Sequence, residues 1–416
     1  MGILNFIPYI RNTYMSSYKS SYNITYDNVY IDINYILHNV CYYSTDKKDL
    51  LQKFKDYIYT ILIEIKPTKR IFLCADGSAP YAKRALQQKR RVNKTELNMH
   101  LSAGTHFMMA LENELYGFIM YIKTKFNIDV ITNIIEEGEG EIKIKFNVMQ
   151  YQKMFPMETH MIYSGDSDMI LLLFTCADLS KIYHTIAKDM IISYGELYNT
   201  HCELYGPSKL DFVFINILCG NDYLPKICII KIENVWNAYK ELISDYPNGL
   251  VSDTIIIDGI FMYELISLAT KNSPIKKLNA YTVDDVYNPI YKNYVDGLYW
   301  CVDMYYNGQC TNYNYAYTHT IKPHIYGIMW YIMSNNTYIK QIHGPIPTKL
   351  YGIMYHKYDC LSEQQKTIAD ELKKKYDILD HTNNNIIDDY NNISSNETYT
   401  INKIYIPYNI YKKRLV

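Results

Sequence analysis

No apolar run in this 416-residue chain is long enough to span a membrane, since the longest, Met169 to Ala177 and His324 to Met333, fall short of the roughly 20 residues required. The amino terminus lacks a signal-peptide pattern. Met1-Gly2 has Phe6 where a myristoylation signal would carry Ser or Thr. Nine cysteines lie scattered with no C-x-x-C pair, which argues against a zinc site and a disulfide framework and for a reducing compartment. The expectation is an intracellular, cytoplasmic monomer with no membrane attachment. Charge of one sign is also missing, with 42 Lys and Arg against 43 Asp and Glu. Any contact with nucleic acid must therefore come from a local basic cluster, and the acids must cluster too. Phenylalanine is scarce beside tyrosine, 12 against 46, a drift expected of an AT-rich genome that makes tyrosine counts uninformative.

What is present alternates. Residues 28 to 36 and 69 to 76 read as strands, and Lys48 to Lys66 between them has helical periodicity, giving a βαβ unit. Asp129 to Ile135 and His160 to Tyr163 are further strand candidates, each followed by acids and then a helix-like stretch. The pattern predicts an α/β fold, a mostly parallel sheet flanked by helices, over residues 1–230. From 231 to 335 amphipathic helical patterns dominate, including Asn234 to Ile243 and Ile260 to Ala269, and predict an α-helical annex packed on that core. Residues 336–416 form a carboxyl-terminal segment with a helical pattern at Ser362 to Tyr376 and a polar, low-complexity loop at 381–399.

The acids recur with one logic, an apolar run and then carboxylates. Asp32, Asp76, Glu139 with Glu141, Asp166 with Asp168, and Asp222 after Phe212 to Leu218 all fit it. Ligand sites of open α/β sheets lie at the carboxyl ends of strands, so these acids should converge there. Their repulsion demands cations. Hard oxygen donors without Cys or His partners favour Mg²⁺ or Mn²⁺, and two such ions can activate water and stabilise the leaving oxygen of a phosphodiester. The i, i+2 pairs suit neighbouring ions if the segment is extended. Just beyond Asp76, a helical pattern after Pro80 sets Lys83, Gln87, Arg90 and Arg91 at i, i+4, i+7 and i+8, one basic face able to grip a phosphate.

Together these segments resemble the Xrn-type 5′-to-3′ exoribonuclease family. The resemblance is carried by Met1-Gly-Ile, Asp32-Ile-Asn-Tyr-Ile-Leu-His38, Asp76-Gly-Ser-Ala-Pro, Gly104-Thr-His-Phe-Met108, Gly138-Glu-Gly-Glu-Ile-Lys143, Gly165-Asp-Ser-Asp168, Gly220-Asn-Asp-Tyr-Leu-Pro225 and Tyr294 to Gly308. It implies a PIN or flap-nuclease-like catalytic core whose seven acids bind catalytic Mg²⁺. It implies that Lys83, Gln87, Arg90 and Arg91 form a pocket for the 5′-monophosphate of single-stranded RNA, and that His38 stacks on the terminal base. The family's second stacking residue, a tryptophan, has its nearest match in Asn312-Tyr-Asn-Tyr315, so Tyr313 or Tyr315 takes that place. Ile142 stands where relatives carry a histidine. DNA is a further possible substrate. The alternative is a flap-endonuclease-like, structure-specific DNA nuclease, but the glycine-rich turn that such enzymes place after the last acid is missing from Tyr223 to Ile232.

Overall fold

The computed structural model describes residues 5–19, 25–83, 86–87, 96–134, 136–187, 190–225, 231–271, 289–319 and 322–334. The expected helix at 362–376, the loop at 381–399 and the rest of 336–416 lie outside the described residues. A seven-stranded sheet has the order β1-β7-β6-β5-β2-β3-β4, with β1 at Tyr18–Lys19, β2 at Asn28–Asp32, β3 at Arg70–Cys74, β4 at Asp129–Asn133, β5 at His160–Tyr163, β6 at Ile182–Ala187 and β7 at Met190–Ser193. The five strands from β6 to β4 in that order run parallel, while β7 and β1 add an antiparallel edge. Chain order runs from β2 outward through β3 to β4, then returns to place β5 on the other flank of β2. The point where the order reverses, between β5 and β2, is where such sheets open a crevice at their carboxyl ends.

Alternation along the strands explains the two cores. Tyr30, Phe72, Cys74 and Ile162 point to one face, and Val29, Ile31, Ile71, Leu73, Met161 and Tyr163 to the other. Both faces are covered, so the strands read as continuous apolar runs. The second face is covered by α2 (Ile33–Cys41), α3 (Lys47–Ile65) and α5 (His106–Phe126), with the short α4 (Glu96–Met99) beside α2. Helix α3 shows why it forms there. Asp46 caps it by accepting from the amides of Lys48 and Asp49, its buried stripe is Leu50, Phe54, Ile58, Ile61, Leu62 and Ile65, and Lys66 ends it in the left-handed region at φ 55°.

The first face carries α1 (Phe6–Thr13), α6 (Gly140–Met154), α7 (Asp168–Phe174), α8 (Tyr194–Tyr205) and α9 (Lys209–Cys219). Helices α10 (Ile232–Leu242), α11 (Gly259–Ala269), α12 (Pro289–Asn307) and α13 (Ile325–Ser334) pack into the same core, with α12 lying on α9. Two expectations need correction. The strand at 28–36 stops at Asp32, because the Asp32 side chain accepts the Tyr35 amide and starts α2. The run Phe212 to Leu218 is helical and lies within α9, capped by Ser208; wholly buried, it shows no alternation of either period. Among the described residues no helix is long and apolar enough to cross a membrane.

Candidate active site

Four adjacent parallel strands deliver six of the seven acids, while Asp222 follows α9. Asp32 ends β2, Asp76 lies two residues past β3, Glu139 follows β4 and Asp166 follows β5. The i, i+2 pairs are not extended. Glu139 is the N-cap of α6 with Glu141 in its first turn, and Asp168 opens α7 two residues after Asp166. Each pair therefore straddles a helix start, where the amides and dipole favour negative charge.

The loops are tied tightly. Asp32 Oδ1 accepts from the Tyr35 amide at 3.1 Å and Oδ2 from Ser164 Oγ at 2.9 Å. Ser164 Oγ in turn accepts from the Asp166 amide at 3.2 Å, joining the acids of β2 and β5. The Asp76 amide donates to Asn34 Oδ1 at 2.8 Å, and Asp76 Oδ1 accepts from the Gly140 amide at 2.8 Å. The Gly77 amide donates to the Gly138 carbonyl at 2.7 Å, and a side chain at Gly77 would strike the Glu136 carbonyl. Gly138 itself adopts φ +94°, a region glycine enters without strain.

Electrostatics follow from this crowding. Burial, then the Asp76 charge, pushes the Asp32 carboxyl up to about 7. Burial, then Asp166 and Asp222, pushes Asp168 up to about 8. Burial also raises Glu139 and Glu141. At Asp166 burial acts upward too, but the Lys83 charge and the Asp168 amide outweigh it and its carboxyl is held low. Among the described residues Asp168 Oδ1 is buried with no hydrogen-bond partner.

Lys83 departs from the sequence expectation. It closes a 3₁₀ turn, Tyr81–Lys83, and its ammonium reaches inward to Glu139, to Glu141 at 3.3 Å and to Asp222 at 3.8 Å, instead of standing on an open helix face. Those acids raise its pKa against the opposing effect of burial. Gln87 is half-buried in a helical stretch, and Arg90 and Arg91 lie outside the described residues. His38 is half-buried on α2, with Nδ1 3.0 Å from Asn98 Oδ1. Tyr313 sits at the acidic loop, its hydroxyl against Gly138 and its carbonyl accepting from the Tyr81 amide at 2.9 Å. Tyr315, like Tyr313, is buried. Its ring lies 4.9 Å from that of Trp300 and its hydroxyl donates to the Asn293 carbonyl at 2.9 Å.

The site also uses residues not singled out from sequence. Tyr223 donates to Glu139 at 2.7 Å and lies under Lys83, while Asn34 and Ser164 fix Asp76 and Asp32. Asn34 and Tyr223 fall inside the quoted motifs and Ser164 immediately precedes one, each one or two residues from an acid. The donor set is hard oxygen throughout, and the unpartnered Asp168 Oδ1 is the kind of buried atom a cation satisfies. Among the described residues no three His, Cys, Asp or Glu side chains converge on one point as they stand, the Lys83 ammonium holding the middle of the cluster. The residues fit Mg²⁺ or Mn²⁺ by chemistry.

Residues 1–100 and 93–182 match the family model described as the XRN 5′-3′ exonuclease N-terminus. The chain is 25% identical over 317 residues to 5′-3′ exoribonuclease 1 of Schizosaccharomyces pombe, covering 59% of this chain and 24% of that protein. It is 29% identical over 320 residues to 5′-3′ exoribonuclease 1 of Saccharomyces cerevisiae, covering 60% of this chain and 21% of that protein. The match thus spans a quarter or less of these relatives' length. Among solved structures, the catalytic core of Rad2 in complex with DNA substrate aligns at TM-score 0.41 with 12% identity, over 82% of this chain and 96% of that one.

Proposed function

Because residues 1–182 match the model of the XRN 5′-3′ exonuclease N-terminus and the chain is similar to 5′-3′ exoribonucleases, we propose that it is an Xrn-type, divalent-metal-dependent 5′-to-3′ exoribonuclease. It removes nucleoside 5′-monophosphates one at a time from single-stranded RNA that carries a 5′-monophosphate. The observation that carries this reading is the buried carboxylate cluster at the carboxyl ends of four adjacent strands, with Asp168 Oδ1 unpartnered.

Asp32, Asp76, Glu139, Glu141, Asp166, Asp168 and Asp222 would hold Mg²⁺ or Mn²⁺, in two positions. Bound there, the ions supply positive charge that offsets the acids, activates the attacking water and stabilises the leaving oxygen. The chain's own groups do the rest. Lys83, beside the acids, binds the terminal phosphate together with Gln87, Arg90 and Arg91, so that the first linkage lies over the carboxylates. His38 stacks on the terminal base, with Tyr313 or Tyr315 as the second stacking residue. His38→Ala should slow stepping more than binding, since a stacked base is worth roughly 1 to 3 kcal/mol.

The test is product analysis on matched RNA and DNA oligonucleotides with 5′-phosphate, 5′-hydroxyl or 5′-triphosphate ends. The reading expects mononucleotides from the first time point and fastest decay of 5′-phosphate RNA. Equal rates on all ends, or internal cuts at a junction of single strand and duplex, would favour a structure-specific DNA nuclease.

A further inference from the structure

Helix α6 buries two lysines two residues apart, pointing to nearly opposite sides of its axis, and they serve different places. Lys145 Nζ donates to Thr175 Oγ1 at 2.6 Å and lies 3.4 Å from Cys176 Sγ, just beyond the end of α7. Lys143 Nζ donates to three carbonyls, those of Ala75 at 2.7 Å, Asn133 at 3.2 Å and Glu136 at 2.6 Å. An ammonium has three donors and no acceptor, so this tripod saturates it.

The three carbonyls belong to the frame of the acids. Ala75 immediately precedes Asp76. Asn133 ends β4, where the β3–β4 ladder finishes with Cys74 opposite Asn133. Glu136 lies in the turn that leads to Glu139. The Asn133 carbonyl also accepts the Ala75 amide at 3.3 Å, but past that last ladder pair the Ala75 and Glu136 carbonyls need donors, and an unsatisfied buried carbonyl is costly. A buried ammonium is tolerated only when it is fully bonded, so the charge and the carbonyls depend on one another.

We propose that Lys143 is a positioning residue, whose ammonium ties the carboxyl ends of β3 and β4 to the turn bearing Glu139 and so fixes Asp76 and Glu139 relative to each other. The inference rests on the metal-binding reading above. Lys143 touches none of the reacting atoms and acts through the backbone on either side of the acids.

The experiment compares K143M, K143Q and K145M with the wild type, measuring Mn²⁺ affinity by electron paramagnetic resonance, thermal midpoint, and kcat and KM on 5′-phosphorylated RNA. Supporting groups behind metal ligands typically account for about tenfold to a hundredfold in metal affinity or activity, and K143M should lose that much in both with KM nearly unchanged. K143Q, whose amide can reach two of the carbonyls, should fall between. K145M should lose thermal stability to a similar degree yet keep Mn²⁺ affinity and kcat near wild type. Unchanged Mn²⁺ affinity and kcat in K143M would overturn the proposal. So would a K145M loss as large as that of K143M, or failure of both Lys143 variants to fold where K145M folds. A wild type that binds no Mn²⁺ would instead overturn the metal reading, which separates the two failures.

Discussion

The two ends of the parallel sheet hold buried acids in opposite ways. At the amino ends, Glu158 meets Arg70 at 2.7 Å, Lys69 at 3.0 Å and the Asn28 amide at 2.8 Å, and Lys69 also reaches Asp27. Burial pushes the Glu158 carboxyl up, but Asn28, Lys69 and Arg70 outweigh it and hold it below its ordinary value. At the carboxyl ends, Lys83 is shared among Glu139, Glu141 and Asp222, while Asp32 and Asp168 are pushed up to about 7 and about 8. One end is matched and structural. The other is under-matched, and an arrangement that costs stability persists where the excess charge has a use.

The sharpest contrast is between one acid at each end. Asp168→Asn should abolish RNA cleavage while raising stability in chelator, because it removes charge from a repulsive cluster. Glu158→Gln should leave kcat within about twofold but cost roughly 1 to 3 kcal/mol in urea unfolding, through loss of charged hydrogen bonds to Arg70 and Lys69. If Glu158→Gln also abolished cleavage with stability intact, the division between the ends would fail.

The pH dependence should separate the ends by sign. Asp168 titrates at about 8 when folded against 3.8 ordinarily, and Asp32 at about 7, so the folded chain retains protons that the unfolded chain releases. Their contribution is therefore fully present below pH 3.8 and is lost as pH rises toward 8. Glu158 and Asp27 are held low, so what they contribute is present above their ordinary values of 4.5 and 3.8 and is lost on acidification. Urea titrations in chelator should show the stability gained by Asp168→Asn growing across pH 4 to 8, and that lost by Glu158→Gln shrinking at the acid end. The smallest effect is expected from Lys69→Met, below about 1 kcal/mol, since its side chain is 47% exposed.

Much of this was legible in the residues. Helix α3 follows directly from its periodic buried stripe, and strand β5, buried at every position, from a short, mostly apolar run. The acids were found through their repeated position after apolar runs. What escaped was conformation at the junctions. Asp32 and Glu139 act as helix caps, a role that shortens a strand or bends an acidic pair without changing its spacing. The buried α9 has no polar face, so periodicity could not tell it from a strand. Strands β6 and β7, inside the sheet, are not among the strands the sequence pattern predicts, and Lys83, expected on a basic helix face that grips a phosphate, turns inward, which a charge run does not reveal. Tyr315 carries nothing in sequence that separates it from other tyrosines, since Trp300 and Gly297 meet it only in the fold.

The account's central claim, that the carboxyl-end acids form a cation site, is tested most directly by one thermal-melt comparison. Wild type and Asp168→Asn are melted at pH 8 in chelator and again with Mn²⁺. The account predicts that Asp168→Asn melts higher than wild type in chelator, and that Mn²⁺ raises the wild-type midpoint strongly and the variant's little. A wild-type midpoint unmoved by Mn²⁺, together with a destabilised Asp168→Asn, would contradict it.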